Sequence, residues 1–572
     1  MDDVRGTTTG GRLSGAPRPA PAWWRNAVIY QVYPRSFQDS NGDGVGDLEG
    51  IRRRLRYVAE LGADAVWICP FVRSPMRDFG YDVSDYTAVE PVFGTMADFR
   101  RLIDAAHALD LKVITDQVFN HTSDEHPWFI ESRSSRSNDK ADWYVWADPG
   151  EDGGPPNNWR ATFGGSAWAF DEGRRQYYLH NFLGSQPDLN WYNPRVRAAL
   201  LDVARYWLDL GVDGFRLDVV NFYTHDRSLR DNPPRDAAVP RPAGAAPADP
   251  YFDFVNAGTV SRPETLDCLS ELRALVDRYP DRFLLGEISS AEDALAVAAD
   301  FVAGRRRLHA VYNASLVTHE PFDRASLEAL IRRAGELFED DRLCWTFGTH
   351  DFPRLKGRWA AHRRHDDAAE QRLDRLLAAL LVCLPGSCCI YQGDELGLTQ
   401  ATLSFDQLRD PYGIANYPSI LGRDGCRTPI PWTDAVPTGG FSEHDTPWLP
   451  IPAHHFPLAV SRQERDAQSL LSVYRQFLAW RRRQPALAGS IEWPKVHGDD
   501  TVLLFDRCGP AQRLRCAFNL AAADASVDIG AGRWRLSHQP LLSGRLDGRR
   551  LRLPSFGAAI LQDDDDAPAG AA

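Results

Sequence analysis

Between about Ala27 and Leu398, short runs of β-branched, aliphatic and aromatic residues alternate with longer stretches whose apolar positions recur every three or four residues. That alternation predicts strands each followed by an amphipathic helix, the βα units of a parallel sheet. The predicted strands are AVIYQVY, ADAVWICP, LKVITDQVF, VDGFRLDVV, RFLLGEI, HAVYNASL, LCWTFGT and SCCIYQG. Eight such units suit a closed (β/α)8 TIM barrel, an α/β fold. Stretches such as LEGIRRRLRYVAELG and PRVRAALLDVARYWLDLG set charges between apolar rows and predict helices packed outside it. A doubly wound open sheet is the alternative, but no glycine-rich phosphate fingerprint follows the first strand.

The repeat breaks in three places. A stretch rich in Trp, Gly, Asp and Asn, about 120–186, follows the third strand and predicts an inserted subdomain leaning over the strand ends. The Pro/Ala-rich segment DNPPRDAAVPRPAGAAPADPYFDF after the fourth strand predicts a mobile rim. From 488 to 562 the runs become short and alternating (TVLLFDR, LRCAFNL, WRLSH), which predicts a C-terminal antiparallel β-domain. The barrel is then assigned to 23–119 and 187–487, with residues 1–22 and the acidic tail 563–572 expected to be disordered.

Composition narrows the function. The 572 residues are 43% hydrophobic, enough to bury a large core. A net charge of −13 argues against a nucleic-acid partner, which would need a basic face. The N-terminus lacks the apolar core of a signal peptide, and no run approaches the ~20 residues of a membrane span, so a cytoplasmic protein is expected. Nine cysteines, two of them adjacent in GSCCIYQG, read as buried thiols, and no Cys/His spacing reads as a zinc site.

In such a barrel, chemistry sits at the C-terminal ends of the strands. Acids collect there: Asp116 at the third, Asp218 at the fourth, Glu287 at the fifth, and Asp351 beside His350 at the seventh. Arg216 and Asp218 lie two apart on one strand face, so the guanidinium is expected to keep Asp218 ionised, as a carboxylate nucleophile requires. On that segment alone an ordinary buried ion pair serves equally well. The set of strand-end acids tips the balance to a site, and several carboxylates without a redox cofactor point to glycoside hydrolysis.

DQVFNH (116–121), GFRLDVVN (214–221), LLGEI (284–288) and FGTHD (347–351) resemble, in order and placement, the four motifs of glycoside hydrolase family 13, the α-amylase family. The resemblance implies Asp218 as nucleophile, Glu287 as general acid/base and Asp351 as the third carboxylate. It implies Arg216 as the partner of Asp218, with His121 and His350 hydrogen-bonding the sugar. QPDLN (186–190) and DFGYD (78–82) resemble the exo-acting α-glucosidase and oligo-1,6-glucosidase branch. There Asp78 would bind distal hydroxyls, Tyr81 would stack on the sugar ring and Asp82 would support the pocket. GRDGCRTPIPW (422–432) would supply Arg427 as the partner of Asp78, closing the pocket to all but chain ends.

The implied activity is a retaining exo-α-glucosidase acting on maltose, isomaltose, sucrose or short oligosaccharides, as monomer or homodimer. An oligo-1,6-glucosidase and an α-glucosyltransferase are the alternatives, with a non-enzymatic scaffold least favoured because all three acids are present. Thr349 stands where the family has Asn, and Val219, after the nucleophile, accompanies α-1,6 activity in relatives. RRRLH (305–309) stands where sucrose isomerisers carry a different segment.

Asp39, Asn41, Asp43, Val45 and Asp47 set oxygens at alternate positions of a loop with glycine at its sixth place, as in a calcium-binding loop. Gly50 at the twelfth place lacks the usual bidentate carboxylate. A solvated acidic turn is the other reading of these residues; resemblance to α-glucosidases implies a structural Ca2+ or Mg2+, with no cofactor for the chemistry.

Overall fold

The computed structural model describes residues 22–563, apart from 237, 243, 247, 319–320, 339–341, 361–365, 496–497 and 538–541. The two terminal segments expected to be disordered therefore fall almost wholly outside the described residues.

Eight parallel strands form the central sheet: β1 Val28–Val32, β2 Ala65–Ile68, β3 Lys112–Gln117, β4 Gly214–Leu217, β5 Phe283–Ile288, β6 Ala310–Asn313, β7 Cys344–Trp345 and β8 Ser387–Tyr391. They coincide with the eight predicted runs. Consecutive strands pair from β1 to β6, and β1 also pairs with β8, which pairs with β7. A parallel bridge between Val311 and Leu343 joins β6 to β7 and closes the barrel. All eight strands are almost wholly buried, because side chains facing inward fill the barrel and those facing outward meet helices. At Gly214 an added Cβ would lie 2.7 Å from the Phe283 carbonyl oxygen, so β4 and β5 approach closely only because that position is glycine.

The flanking helices begin where their sequence stops them fraying. Asp47 caps Leu48–Leu61 by accepting from Gly50 N, and Thr95 with Asp98 forms a capping box on Met96–His107. Both helices present apolar rows to the outer face of the barrel.

Asp213, just before β4, ties the lower ends of three strands. Its backbone links Val113 O and Phe283 N at 2.9 and 3.0 Å. Its carboxylate accepts from Val113 N at 2.9 Å and faces His107, Lys112 and Arg282 at 2.6, 3.4 and 3.2 Å.

After β3 the insertion forms a three-stranded sheet, Trp146–Ala147, Gln176–Leu179 and Trp168–Asp171, around an aromatic core that includes Trp159 and Trp168. The C-terminal region is antiparallel, with a five-stranded and a three-stranded sheet. It docks on helix Asp367–Cys383: Arg507 Nη1 donates to Cys383 O at 2.8 Å and Arg372 Nε to Ser555 O at 2.7 Å.

No described helix is long and apolar enough to cross a membrane. The nine cysteines are all unpaired, seven of them buried, in line with the reading as thiols.

Replacing Asp213 with Ala removes the acceptor shared by β3, His107, Lys112 and Arg282. The expected cost is about 1–3 kcal/mol, seen as a lowered thermal midpoint; a midpoint equal to that of the parent would show that the clamp contributes nothing.

Candidate active site

The C-terminal ends of the strands open into a cavity of about 230 Å³. Asp218, Glu287 and Asp351 all line it, as do Asp78, Tyr81, His121 and Val219. Arg216, His350 and Arg427 stand behind that lining, fully buried.

Arg216 is the hub. Its Nη1 donates to Asp116 Oδ1 at 2.7 Å and to Asp218 Oδ1 at 2.6 Å, and its Nη2 donates to Glu287. Nε and Nη2 also reach the Tyr312 hydroxyl at 3.0 and 2.7 Å. One positive charge thus faces three carboxyl groups.

Burial raises all three, Glu287 to about 7, against the downward pull of Arg216. The expectation that Arg216 outweighs burial at Asp218 is therefore corrected: the guanidinium is divided among three acids, which titrate together and hold back a proton between them.

Asp351 behaves oppositely. Burial alone would raise it, but the His350 ring and the guanidinium groups of Arg423 and Arg427 outweigh burial and hold it well below the usual carboxylate range. The site therefore holds three proton-retaining acids opposite a firmly ionised one. Thr349 accepts from Asp351 N through Oγ1 at 3.2 Å and fixes the turn that presents Asp351.

Val219 adopts φ +36°, the left-handed region that a β-branched side chain resists. That turn aims its N–H at Glu287 Oε2, 3.1 Å away, and leaves its side chain in the cavity wall against Phe182, Phe222 and Val260. Strain here is offset by a donor placed on the acid.

Tyr81 lies flat on His350, with ring centroids 5.2 Å apart and planes 9° apart, and its hydroxyl donates to Asp116 at 3.0 Å. His350 thus sits beneath Tyr81 and is not itself part of the lining, although it was expected to touch the sugar. His121 does line the cavity, its Nε2 2.9 Å from Tyr81 O, and burial keeps it neutral by lowering its pKa to about 4. Asp82 ties the loop that carries Asp78, accepting from Ser74 Oγ at 2.7 Å, Arg77 N at 2.9 Å and Asp78 N at 3.1 Å.

Asp78 is paired with Arg423, Nη2 to Oδ1 at 2.6 Å, and not with Arg427. Arg427 turns away: its Nε donates to His350 O at 2.8 Å and its Nη2 to Asp351 at 3.1 Å, with the guanidinium 5.1 Å over the Tyr33 ring. The two arginines are four residues apart in one segment, and only the backbone path decides which reaches Asp78. Arg423 is itself held by Asp410 at 2.7 Å, and Phe163 covers it at 4.9 Å. Asp410 and Phe163 come from distant segments, with no local pattern to mark them.

The segment expected to form a mobile rim contributes Gly244, Ala245, Asp249 and Tyr251 to the cavity wall. It is pinned there by Tyr412, whose hydroxyl donates to Asp249 Oδ2 at 2.6 Å, and by Arg235 Nη1, which reaches Glu292 at 2.7 Å.

The proposed metal donors do not gather. Asp39 accepts from Asn41 N, Gly42 N and Gly44 N at 3.0, 2.8 and 2.8 Å, and from Ser442 Oγ at 2.5 Å. Asn41 and Asp43 turn back to accept from Asp43 N and Val45 N, and Asp47 takes Ser40 and Gly50. Among the described residues no group of three or more His, Cys, Asp or Glu is placed to hold an ion. The donor set is nonetheless all oxygen, the chemistry that a hard divalent cation takes.

Comparison with known proteins agrees with this geometry. A probable alpha-glucosidase of Rhizobium meliloti (strain 1021) is 49% identical over 545 residues, which span 94% of this chain and 97% of that protein. A probable oligo-1,6-glucosidase 3 of Bacillus subtilis (strain 168) is 38% identical over 490 residues, 80% of this chain and 84% of that one. Among solved structures, the alpha-glucosyl transfer enzyme XgtA superposes with a TM-score of 0.90 at 49% identity, covering 95% of this chain and 100% of its own. The alpha-amylase catalytic-domain model matches residues 31–490, and the chain belongs to that family, glycoside hydrolase family 13.

Proposed function

We propose that the chain is a retaining, exo-acting α-glucosidase that removes terminal α-glucosyl residues from disaccharides or short oligosaccharides. One observation carries the reading: Asp218 and Glu287 share Arg216 at the wall of one cavity, with Asp351 facing them. In this reading Asp218 attacks the anomeric carbon while Glu287 protonates the leaving oxygen, giving a covalent glucosyl-enzyme. Glu287, now a carboxylate, deprotonates the incoming water, which releases glucose with its configuration retained. Asp351, already ionised, holds sugar hydroxyls and favours the positive charge that develops on the ring.

The Asp78–Arg423 pair closes the far end, so the pocket takes a chain end and nothing longer beyond it. His121 and Tyr81 supply a polar ring edge and an aromatic face to the wall that meets the bound ring. Transfer to a sugar acceptor instead of water uses the same residues, and XgtA, named for glucosyl transfer, keeps that alternative in view. Nine unpaired cysteines support a reducing, cytoplasmic setting. We further propose that Asp39, Asn41, Asp43, Asp47 and the Val45 carbonyl take a divalent cation whose part is structural, stiffening the loop after β1.

Asp218→Ala and Glu287→Gln are each expected to lower kcat/KM on p-nitrophenyl α-glucoside by roughly 10²–10⁴-fold; unchanged turnover in either rules the mechanism out. Because Glu287 must carry its proton to act, and burial keeps it protonated up to about pH 7, activity of the parent should fall as pH rises through that value. A profile flat well into the alkaline range contradicts this.

Val219 lines the cavity, so Val219→Ala is expected to shift the ratio of isomaltose to maltose cleavage towards maltose by roughly 10-fold. Product-resolved assays read this directly, and an unchanged ratio removes Val219 from linkage choice. For the cation, EDTA should lower the thermal midpoint and Ca2+ or Mg2+ restore it, by about 2.7 kcal/mol at a hundredfold excess over Kd. A midpoint indifferent to both would leave the loop as a turn held by its own N–H groups.

A further inference from the structure

The regular ladder between β4 and β5 ends at the pair Leu217 and Gly286, one residue short of Asp218 and of Glu287. Each acid is tied to its other neighbour instead: Asp218 N donates to Gln117 O of β3 at 3.1 Å, and Glu287 stands in register with Tyr312 of β6. Beyond the ladder a side-chain amide takes over. Asn221, fully buried in the turn after Asp218, accepts from Ser289 N through Oδ1 at 3.1 Å and donates from Nδ2 to Ser289 O at 2.8 Å. We propose that Asn221 is a positioning residue for the glucosidase chemistry: its amide clasps the chain two residues past Glu287 and so fixes the distance of that acid from Asp218.

A retaining mechanism makes this distance matter, because its two carboxyl groups work only ~5–5.5 Å apart. The Asn side chain suits the task, being one flat group that both donates and accepts, matched to the N–H and C=O of a single residue. Its orientation is fixed. Exchanging the amide oxygen and nitrogen would set Oδ1 against Ser289 O and the NH2 against Ser289 N–H. Nδ2 also donates to Ser261 Oγ at 3.0 Å, and Asn221 O accepts from Ser261 N at 2.7 Å, so the amide and the backbone carbonyl are all engaged.

Two further contacts make the turn and the end of β5 one block. Val219 N donates to Glu287 Oε2 at 3.1 Å, and Val220 packs on Gly286, where an added Cβ would lie 3.1 Å from Val220 Cγ1. Val219 thus holds the carboxyl group of Glu287, while Asn221 holds the backbone that carries it. Without the clasp the acid stays in the cavity wall but is no longer set against the leaving oxygen.

The inference rests on the glucosidase reading, and a pair of substrates separates the two. Maltose or isomaltose, whichever the parent cleaves faster, expels a sugar oxygen that needs the proton of Glu287; α-glucosyl fluoride expels fluoride, which needs none. Asn221→Ala should lower kcat/KM on the disaccharide roughly 10²-fold, the loss that a displacement of about 1 Å brings, and should lower it on the fluoride at least roughly 10-fold less. A fold merely loosened would lower both alike, so the ratio is the readout. Asn221→Asp keeps the shape and the acceptor but sets an oxygen against Ser289 O; it should move the ratio the same way, and it carries the test if Asn221→Ala yields no folded enzyme.

Ser261→Ala removes only the second acceptor of the amide and should keep the ratio of the parent. Equal losses on the two substrates in the Asn221 variants, no loss in either, or a matching shift in Ser261→Ala overturns the role. A parent active on both substrates with an unmoved ratio in the variants sinks Asn221 alone. A parent inert on both sinks the glucosidase reading, and the role of Asn221 with it.

Discussion

The whole catalytic end of the barrel is organised around one buried guanidinium. Taking an isolated ion of this size out of water costs on the order of 20 kcal/mol in a low-dielectric medium, so Arg216 persists there only because every N–H it points inward meets an oxygen. Those oxygens come from β3, β5 and β6 and from the residue directly after β4, through Asp116, Glu287, Tyr312 and Asp218. The arginine thus fixes the relative positions of four strand ends as well as their charges. The influence spreads further through Asp116, which holds the Trp67 indole and the Tyr81 hydroxyl, and through Tyr81, which lies over His350. Burial, only partly offset by one guanidinium divided among three carboxyl groups, is what leaves a proton in the site.

Much of this was legible in the sequence because it is local. Strands of a closed parallel barrel are buried on both faces, so they appear as continuous apolar runs, and all eight stood out. The acids at their ends were legible for the same reason: a charge that closes an apolar run has few ordinary explanations. What escaped depends on contacts between distant segments. Arg423 and Arg427 look alike in GRDGCRTPIPW, and the choice between them is made by Asp410, Phe163 and Tyr33, none of which that segment announces. The Pro/Ala-rich stretch after β4 reads as loose by composition, yet two side-chain contacts fasten it over the cavity. The balance of burial against charge at Asp218 was likewise beyond reach, since Arg216 and Asp218 alone suggest one partner where the folded chain supplies three.

Val219 joins the two kinds of information. Its identity was visible, and its position after Asp218 suggested an influence on the bond facing it. That its backbone is turned into the left-handed region to bring an N–H onto Glu287 appears only in the fold. A residue proposed to tune linkage through its side chain therefore also seats the acid through its backbone, and the second duty restricts which side chains can carry out the first.

If the Asp78–Arg423 pair ends the cavity as proposed, the cavity is a blind alley. A glucose freed at its inner end has no back door, so the remainder of the substrate must withdraw through the mouth before the sugar can follow. Cleavage is then distributive: each encounter ends after one bond, and a shortened chain competes afresh with every other chain end in solution. Throughput on a mixture follows the number of ends, not the mass of polymer, and a pool of many short chains is consumed faster than the same weight of a few long ones.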